Sequence, residues 1–268
     1  MAEPLHEYRL ERAPYYRPAG DEVSLFEAAY ASRLPLMLKG PTGCGKTRLV
    51  EHMAHRLGRP LVTVACHEDL TATDLAGRYL LDAQGTRWRD GPLTLAVRHG
   101  AICYLDEIVE ARQDTLVIIH PLSDSRRYLP LDKKNELVRA HPDFLLVISY
   151  NPGYQSATKD LKASTRQRFG AIQLDYPAPE LEAEIVAHES EVDLGLAGRL
   201  VALGRRTRAL RGHGLDEGAS TRMLIHAARL IVRGIEPQPA CRLAIIAPVT
   251  DDVDTTEALE ALLAAEFA

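Results

Sequence analysis

Long apolar runs are missing from this chain. Its longest, such as "FLLVIS" at Phe144–Ser149, fall far short of the roughly 20 residues that cross a bilayer. The opening stretch "MAEPLHEYRLERAP" has no apolar h-region, so we expect no secretory leader and a cytoplasmic protein. Cysteine is sparse: Cys44, Cys66, Cys103 and Cys241 stand far apart with no C-x-x-C pair, which excludes a disulfide framework and a zinc ribbon. Lys and Arg form no basic tail and the formal net charge is −5, which argues against sequence-independent nucleic-acid binding. There is no fixed-period repeat and no low-complexity segment. What remains is 268 residues, 46% hydrophobic and 26% charged, enough for one sizeable globular domain and a smaller one.

Short β-rich runs alternate with helical patterns over residues 1–178. Strands are expected at 34–40, 60–66, 101–107, 144–151 and 171–177, with helices near 46–57, 92–99 and 111–122. Near-continuous apolar strands separated by helices indicate a parallel sheet covered on both faces, hence a doubly wound α/β domain. Two stretches break the alternation. Residues 77–92 carry a Gln-Gly turn between short alternating runs, and 126–140 read as a hairpin about Lys133-Lys134-Asn135. After Pro177-Ala178-Pro179 the pattern is helical over 179–190, 196–210, 219–233, 236–247 and 253–266. Leu224, Ala227, Ala228 and Ile231 form one apolar stripe there. A small helical domain is therefore expected over 179–268.

"GPTGCGKT" joins an apolar strand to a helix and satisfies G-x-x-x-x-G-K-[ST] through Gly40, Pro41, Thr42, Gly43, Cys44, Gly45, Lys46 and Thr47. Glycines let successive backbone N–H groups turn toward one anion, and the helix opening at Lys46 adds its positive end. Lys46 is expected to reach the β- and γ-phosphates of ATP, and the Thr47 hydroxyl to hold Mg²⁺. This loop alone leaves kinase, GTPase and motor open. "AICYLDEI" narrows the choice: it ends an apolar strand in Asp106-Glu107, with Asp106 suited to the Mg²⁺ shell and Glu107 to polarising a water. Asn151 ends the strand "FLLVISYN", where we expect it level with Asp106; it either orients the same water or starts the Pro152-Gly153 turn. In "STRQRFG", Arg166 and Arg168 precede a strand with no obvious partner in their own chain. They read either as arginine fingers for a neighbouring subunit or as solvated surface groups. Arg222 opens the helix "STRMLIHAARL", where it can sense nucleotide.

This constellation resembles the AAA+ ATPases of the MoxR group. Residues 40–47 match Walker A, 102–107 Walker B, Asn151 sensor 1, 164–169 the arginine-finger segment and Arg222 sensor 2. The two interruptions resemble that group's helix-2 insert (77–92) and its hairpin before sensor 1 (126–140). "VACHEDLTATDLAGRYL", "WRDGPLTLAVRHGAICYLDEIVEARQDT" and "LKASTRQRFGAIQLDYP" are similar to the CbbQ/NorQ branch. The resemblance implies a P-loop AAA+ core followed by a helical lid and Mg²⁺-dependent ATP hydrolysis. It also implies a homo-hexameric ring and a partner with a von Willebrand A domain, of the CbbO or NorD type. CbbQ-like members activate Rubisco by releasing inhibitory sugar phosphates, and NorQ-like members mature nitric oxide reductase. A gas-vesicle assembly ATPase of the GvpN type and a nucleic-acid motor are further alternatives; the acidic balance and the lack of a basic aromatic stripe weigh against the latter. Tyr79, Leu80, Leu81 and Trp88 of the insert face either a pore or partner, or their own hairpin. Tyr15-Tyr16 either flank the adenine or plug the sheet edge. His52 and His55 share a helix face but lack a third ligand, so no transition metal is expected.

Overall fold

The computed structural model describes residues 5–83, 85–151, 161–212 and 214–268. They form two compact units. The first runs to Gly40 and resumes over Lys46–Leu174, and the second is Asp175–Ala268 together with the loop Pro41–Gly45. The boundary thus falls slightly before the expected 178, and the second unit also takes in a piece of the phosphate loop.

In the first unit, α1 (Glu22–Ala31), β1 (Leu36–Lys39), α2 (Lys46–Arg56), β2 (Leu61–Ala65) and α3 (Ala72–Ala76) are followed by the hairpin β3 (Gly77–Asp82) and β4 (Gly85–Asp90). The chain continues through α4 (Pro92–His99), β5 (Ile102–Asp106), α5 (Gln113–Val117), a second hairpin of β6 (Tyr128–Leu131) and β7 (Glu136–Arg139), β8 (Leu145–Tyr150), α6 (Ala163–Arg166) and β9 (Gly170–Gln173). Five strands make one sheet in the order β2-β5-β8-β1-β9, every pair parallel. All six residues of β8 are buried, and β5 is buried as far as Leu105. That is why these strands read as unbroken apolar runs rather than as alternating ones.

One expectation is corrected here. The helix expected at 111–122 is interrupted: α5 is only Gln113–Val117, with 3₁₀ turns at Ile108–Glu110 and His120–Leu122. Pro121 lacks the N–H that an α-turn would use. In the first hairpin Tyr79 lies edge-on to Trp88, with ring centroids 5.1 Å apart, and the indole N–H donates to Asp90 Oδ1 at 2.6 Å. Trp88 also packs against the core, so it belongs to its own hairpin, while Leu81 is 83% exposed. Gln84 of the expected Gln-Gly turn lies outside the described residues. The second hairpin turns through Asp132–Lys134, with Asn135 left-handed at φ 51°. Tyr16 donates to Glu22 at 2.8 Å and its ring lies 5.2 Å from that of His52, which ties the N-terminal segment to α1 and α2.

The second unit contains α7 (Pro179–Ser190), α8 (Leu194–Ala209), α9 (Thr221–Val232), α10 (Pro237–Cys241), α11 (Ala247–Val249) and α12 (Val253–Glu266). The helix expected over 236–247 is α10 passing through a π-helical turn, Arg242–Ile246, into α11. Asp193, Ser220 and Asp252 cap α8, α9 and α12 by accepting from the backbone N–H of Leu196, Met223 and Thr255. Leu224, Ala227 and Ala228 of the expected stripe are fully buried beside Leu200, Leu203 and Leu263. No helix of the described residues is long and apolar enough to cross a membrane.

One charged group sits inside this helical core. Glu182 is fully buried; its two oxygens accept from Arg208 Nη1 at 2.8 Å and Nη2 at 2.7 Å, and Thr221 Oγ1 adds a third bond at 2.6 Å. Arg208 Nε donates to the Ala219 carbonyl at 2.7 Å, and the guanidinium lies 3.6 Å over the Tyr176 ring. An exposed pair would contribute about 1 kcal/mol or less. This one is buried, so removing the carboxylate strands Arg208 in a dry environment. We expect Glu182→Ala to destabilise the helical unit by about 3–5 kcal/mol, read from its urea unfolding midpoint; a shift within error would show the pair to be dispensable.

Candidate functional site

Lys46 is the first residue of α2 and only 7% exposed; its ammonium donates to the Gly40 carbonyl at 2.9 Å. A buried cation at a helix N-terminus makes a strongly positive point, because the helix end adds to its field. Thr47 follows on the same turn. Its hydroxyl lies 3.5 Å from that of Tyr104, a fully buried residue of β5.

Around the end of β5 the polar groups converge. Tyr104 donates to Asp106 Oδ1 at 2.6 Å, and Ser149 donates to the same oxygen at 2.5 Å. The backbone N–H of Glu107 in turn donates to Ser149 Oγ at 2.9 Å. Glu107 leaves the strand in the left-handed region (φ 53°, ψ 49°), a conformation costing a non-glycine residue about 1–3 kcal/mol. The two neighbouring carboxylates therefore differ in setting: Asp106 is half-buried and held by hydroxyls, whereas Glu107 is exposed. Burial first, and the Asp106 charge second, push the Tyr104 phenol far above its usual range, so it remains a donor. Burial, with Asp106 and Glu107 adding, pushes the nearby Cys66 thiol up to about 12, which keeps it protonated and excludes it as a nucleophile.

The register corrects the placing of Asn151. Leu105 stands opposite Ile148, so Asp106 comes level with Ser149, and Asn151 lies two residues farther along. Its following turn, Pro152-Gly153, lies outside the described residues. Arg166 closes α6. Arg168 departs from expectation: it is paired within its own chain, donating from Nη1 to Asp124 Oδ2 at 2.9 Å. Asp124 is gripped by Arg126 as well, and chiefly through Arg126 its carboxyl is held well below the usual range.

The loop in the second unit has its own partners. Gly43 and Gly45 adopt φ +68° and +103°, which only glycine takes up cheaply. The Thr42 N–H donates to Glu217 Oε1 at 3.2 Å, and Tyr176 donates to the Thr42 carbonyl at 2.9 Å. A Cβ on Gly43 would stand 2.6 Å from Ser220 Cβ and 3.7 Å from Arg222 Cβ. Arg222, the second residue of α9 and exposed, thus lies close to the loop.

These donor sets fit the groups the sequence implies. A loop N–H that already holds a carboxylate oxygen suits phosphate, and the buried ammonium on the Gly40 carbonyl suits it equally. The hydroxyl of Thr47 and the carboxylate of Asp106, hard oxygen donors linked through Tyr104, suit Mg²⁺. Sequence reasoning missed Tyr104, Ser149, Glu217 and Tyr176. Tyr104 and Ser149 are polar groups inside largely apolar strands, a signal that could have been read once the strands were aligned.

Comparison with known proteins agrees. Residues 35–169 match the AAA domain of the dynein-related subfamily, and residues 182–266 match the CbbQ/NirQ/NorQ C-terminal family. The chain is 65% identical to CbbQ of Hydrogenophilus thermoluteolus, with 98% of each chain covered. It is 58% identical to NorQ of Paracoccus denitrificans over 95% of this chain and 94% of that one. The fold is similar to that of NtrX from Brucella abortus in complex with ADP, with a TM-score of 0.55, 16% identity, and coverage of 94% of this chain and 62% of the other. An AAA domain followed by that C-terminal family, together with full-length relatives at this identity, places the chain in the CbbQ/NirQ/NorQ family of AAA ATPases.

Proposed function

We propose that the chain is the ATP-hydrolysing subunit of a hexameric ring motor that remodels a partner protein. In the leading reading it releases inhibitory sugar phosphates from Rubisco, together with a von Willebrand A domain adaptor of the CbbO type. The observation that carries the hydrolytic part is the contrast at the end of β5: a carboxylate locked by hydroxyls beside Thr47, then an exposed carboxylate one residue on. The 65% identity to CbbQ over nearly the whole chain favours the Rubisco reading. The 58% identity to NorQ favours a second, maturation of nitric oxide reductase with a NorD-type partner.

In this mechanism the Lys46 ammonium and the loop Gly40, Pro41, Thr42, Gly43, Cys44 and Gly45 bind the phosphates of ATP. Thr47 and Asp106 hold Mg²⁺, which when bound neutralises charge on the β- and γ-phosphates. Glu107, exposed and left-handed, polarises the attacking water, and Asn151, beyond Ser149, orients it. Arg166 and Arg168 serve the site of the adjoining subunit. For this Arg168 exchanges Asp124 for phosphate oxygens, a swap of one anionic partner for another. Arg222 on α9 reports the nucleotide to the helical unit.

Glu107→Gln is expected to retain ATP affinity while turnover falls at least about 100-fold, the span of a general base. Loss of ATP binding along with turnover would remove Glu107 from that role. Arg168→Ala mixed into wild-type rings is expected to depress turnover more than in proportion to its share, because each altered subunit silences a neighbour. A strictly linear decline would mean the arginine acts only in its own chain. With a CbbO-type partner and Mg-ATP, the protein is expected to restore carboxylation by sugar-phosphate-inhibited Rubisco. Under the NorQ reading Rubisco stays inhibited, and co-expression instead raises the yield of active nitric oxide reductase.

A further inference from the structure

Two hydroxyls aim at one oxygen of Asp106, and the short bonds to it fix the direction of donation. The Tyr104 phenol has a single proton, and at 2.6 Å it is committed to Asp106 Oδ1. The contact between Tyr104 and Thr47, at 3.5 Å, then has Thr47 as its donor. On the other side the Ser149 proton goes to Asp106 Oδ1, and Ser149 Oγ accepts from the Glu107 N–H. Donation runs inward from both ends toward one carboxylate oxygen.

This directionality has two consequences. A carboxylate oxygen offers about two lone-pair positions. Both on Oδ1 are taken, which leaves Oδ2 as the oxygen open to a cation or its water. Turning the Thr47 proton toward Tyr104 also points the lone pairs of Thr47 Oγ1 away from it. Short hydroxyl-to-carboxylate bonds in a poorly solvated place are the strong, charge-assisted kind, so they fix orientation as well as adding energy.

We propose that Tyr104 and Ser149 are positioning residues that together set how Asp106 and Thr47 present oxygen to Mg²⁺. This rests on the reading of Thr47 and Asp106 as the cation-binding pair. Ser149 also acts in a second direction, because its bond to the Glu107 N–H anchors the left-handed turn from which the exposed carboxylate projects. Tyr104 acts on the cation alone, and Ser149 on the cation and on the water-polarising residue.

The test measures Mn²⁺, a spectroscopic stand-in for Mg²⁺, binding to the full-length protein saturated with ADP, by electron paramagnetic resonance, independently of turnover. Tyr104→Phe keeps the buried ring and removes one oxygen. It is expected to raise the Mn²⁺ dissociation constant about tenfold or more, within the 10–100-fold range usual for groups that orient a metal ligand, and to leave metal-free ADP binding in EDTA unchanged. Ser149→Ala is expected to weaken Mn²⁺ similarly and also to lower turnover at saturating metal, a loss that Tyr104→Phe does not share. Ser149→Thr, which keeps the hydroxyl, is expected to restore both. Wild-type Mn²⁺ affinity in both Tyr104→Phe and Ser149→Ala overturns the proposal. Asp106→Asn separates the layers: if it weakens Mn²⁺ while those two do not, only the positioning claim fails, and if it has no effect, the cation-pair reading itself fails.

Discussion

A carboxylate placed where a buried parallel sheet meets solvent is the constraint on which this site depends. Asp106 follows four buried residues of β5, and the neighbouring strand β8 is buried throughout. Water can solvate only part of such a group, and an isolated charge there would be costly. The fold supplies hydroxyls from within the strands, Tyr104 on β5 itself and Ser149 on β8. Parallel pairing makes this possible, because strands running the same way bring their carboxyl ends to one edge. The register that sets Leu105 opposite Ile148 carries Ser149 to the level of Asp106. Slipping that register by one residue would turn Ser149 to the other face of the sheet.

The same edge makes sense of Glu107. If the strand continued, its carboxylate would lie on the opposite face from that of Asp106. The left-handed backbone at Glu107 ends the strand abruptly and leads into the buried 3₁₀ turn of Ile108 and Val109. Strain of this kind persists where the surroundings fix it. Here the Ser149 hydroxyl accepts the Glu107 N–H, and two apolar residues beyond it are locked in the core.

What the sequence made legible, and what it did not, divides along physical lines. The strand–loop–helix unit around Gly40–Thr47 was readable because its signal is local: glycines, lysine and threonine fall within one turn. The sheet was readable because burial on both faces leaves continuous apolar runs, and the helical unit because Gly and Pro punctuate its segments and one of them carries an apolar stripe. The roles of Tyr104 and Ser149 were not readable, because each sits inside a run whose neighbours say only "core", and their meaning needs the pairing of β5 with β8. The Asp124 partner of Arg168 was not readable for the same reason: it stands far away in sequence and close by in the fold. The broken helix after β5 is a different failure, since Pro121 was visible and its missing N–H went unweighed.

Two arginine–carboxylate pairs show how burial decides what a salt bridge is for. Arg208 and Glu182 are 14% and 0% exposed at the side chain, with the carboxylate's remaining capacity filled by Thr221. Separating them would leave a charge in the helical core, so the pair acts as a fixed strut. Arg168 and Asp124 are 32% and 25% exposed, and Asp124 keeps Arg126 whatever Arg168 does. A pair of that kind contributes roughly 1 kcal/mol or less, because water and the second arginine compensate its loss. Arg168 can therefore be parked on Asp124 at small cost and drawn away by a more highly charged anion, with no empty buried site left behind. The pairing first looks like evidence against a role for Arg168 outside its own chain. Its weakness removes that objection: under the proposed ring mechanism, a triphosphate at a neighbouring subunit would draw the guanidinium from Asp124, and loss of the γ-phosphate would let it return.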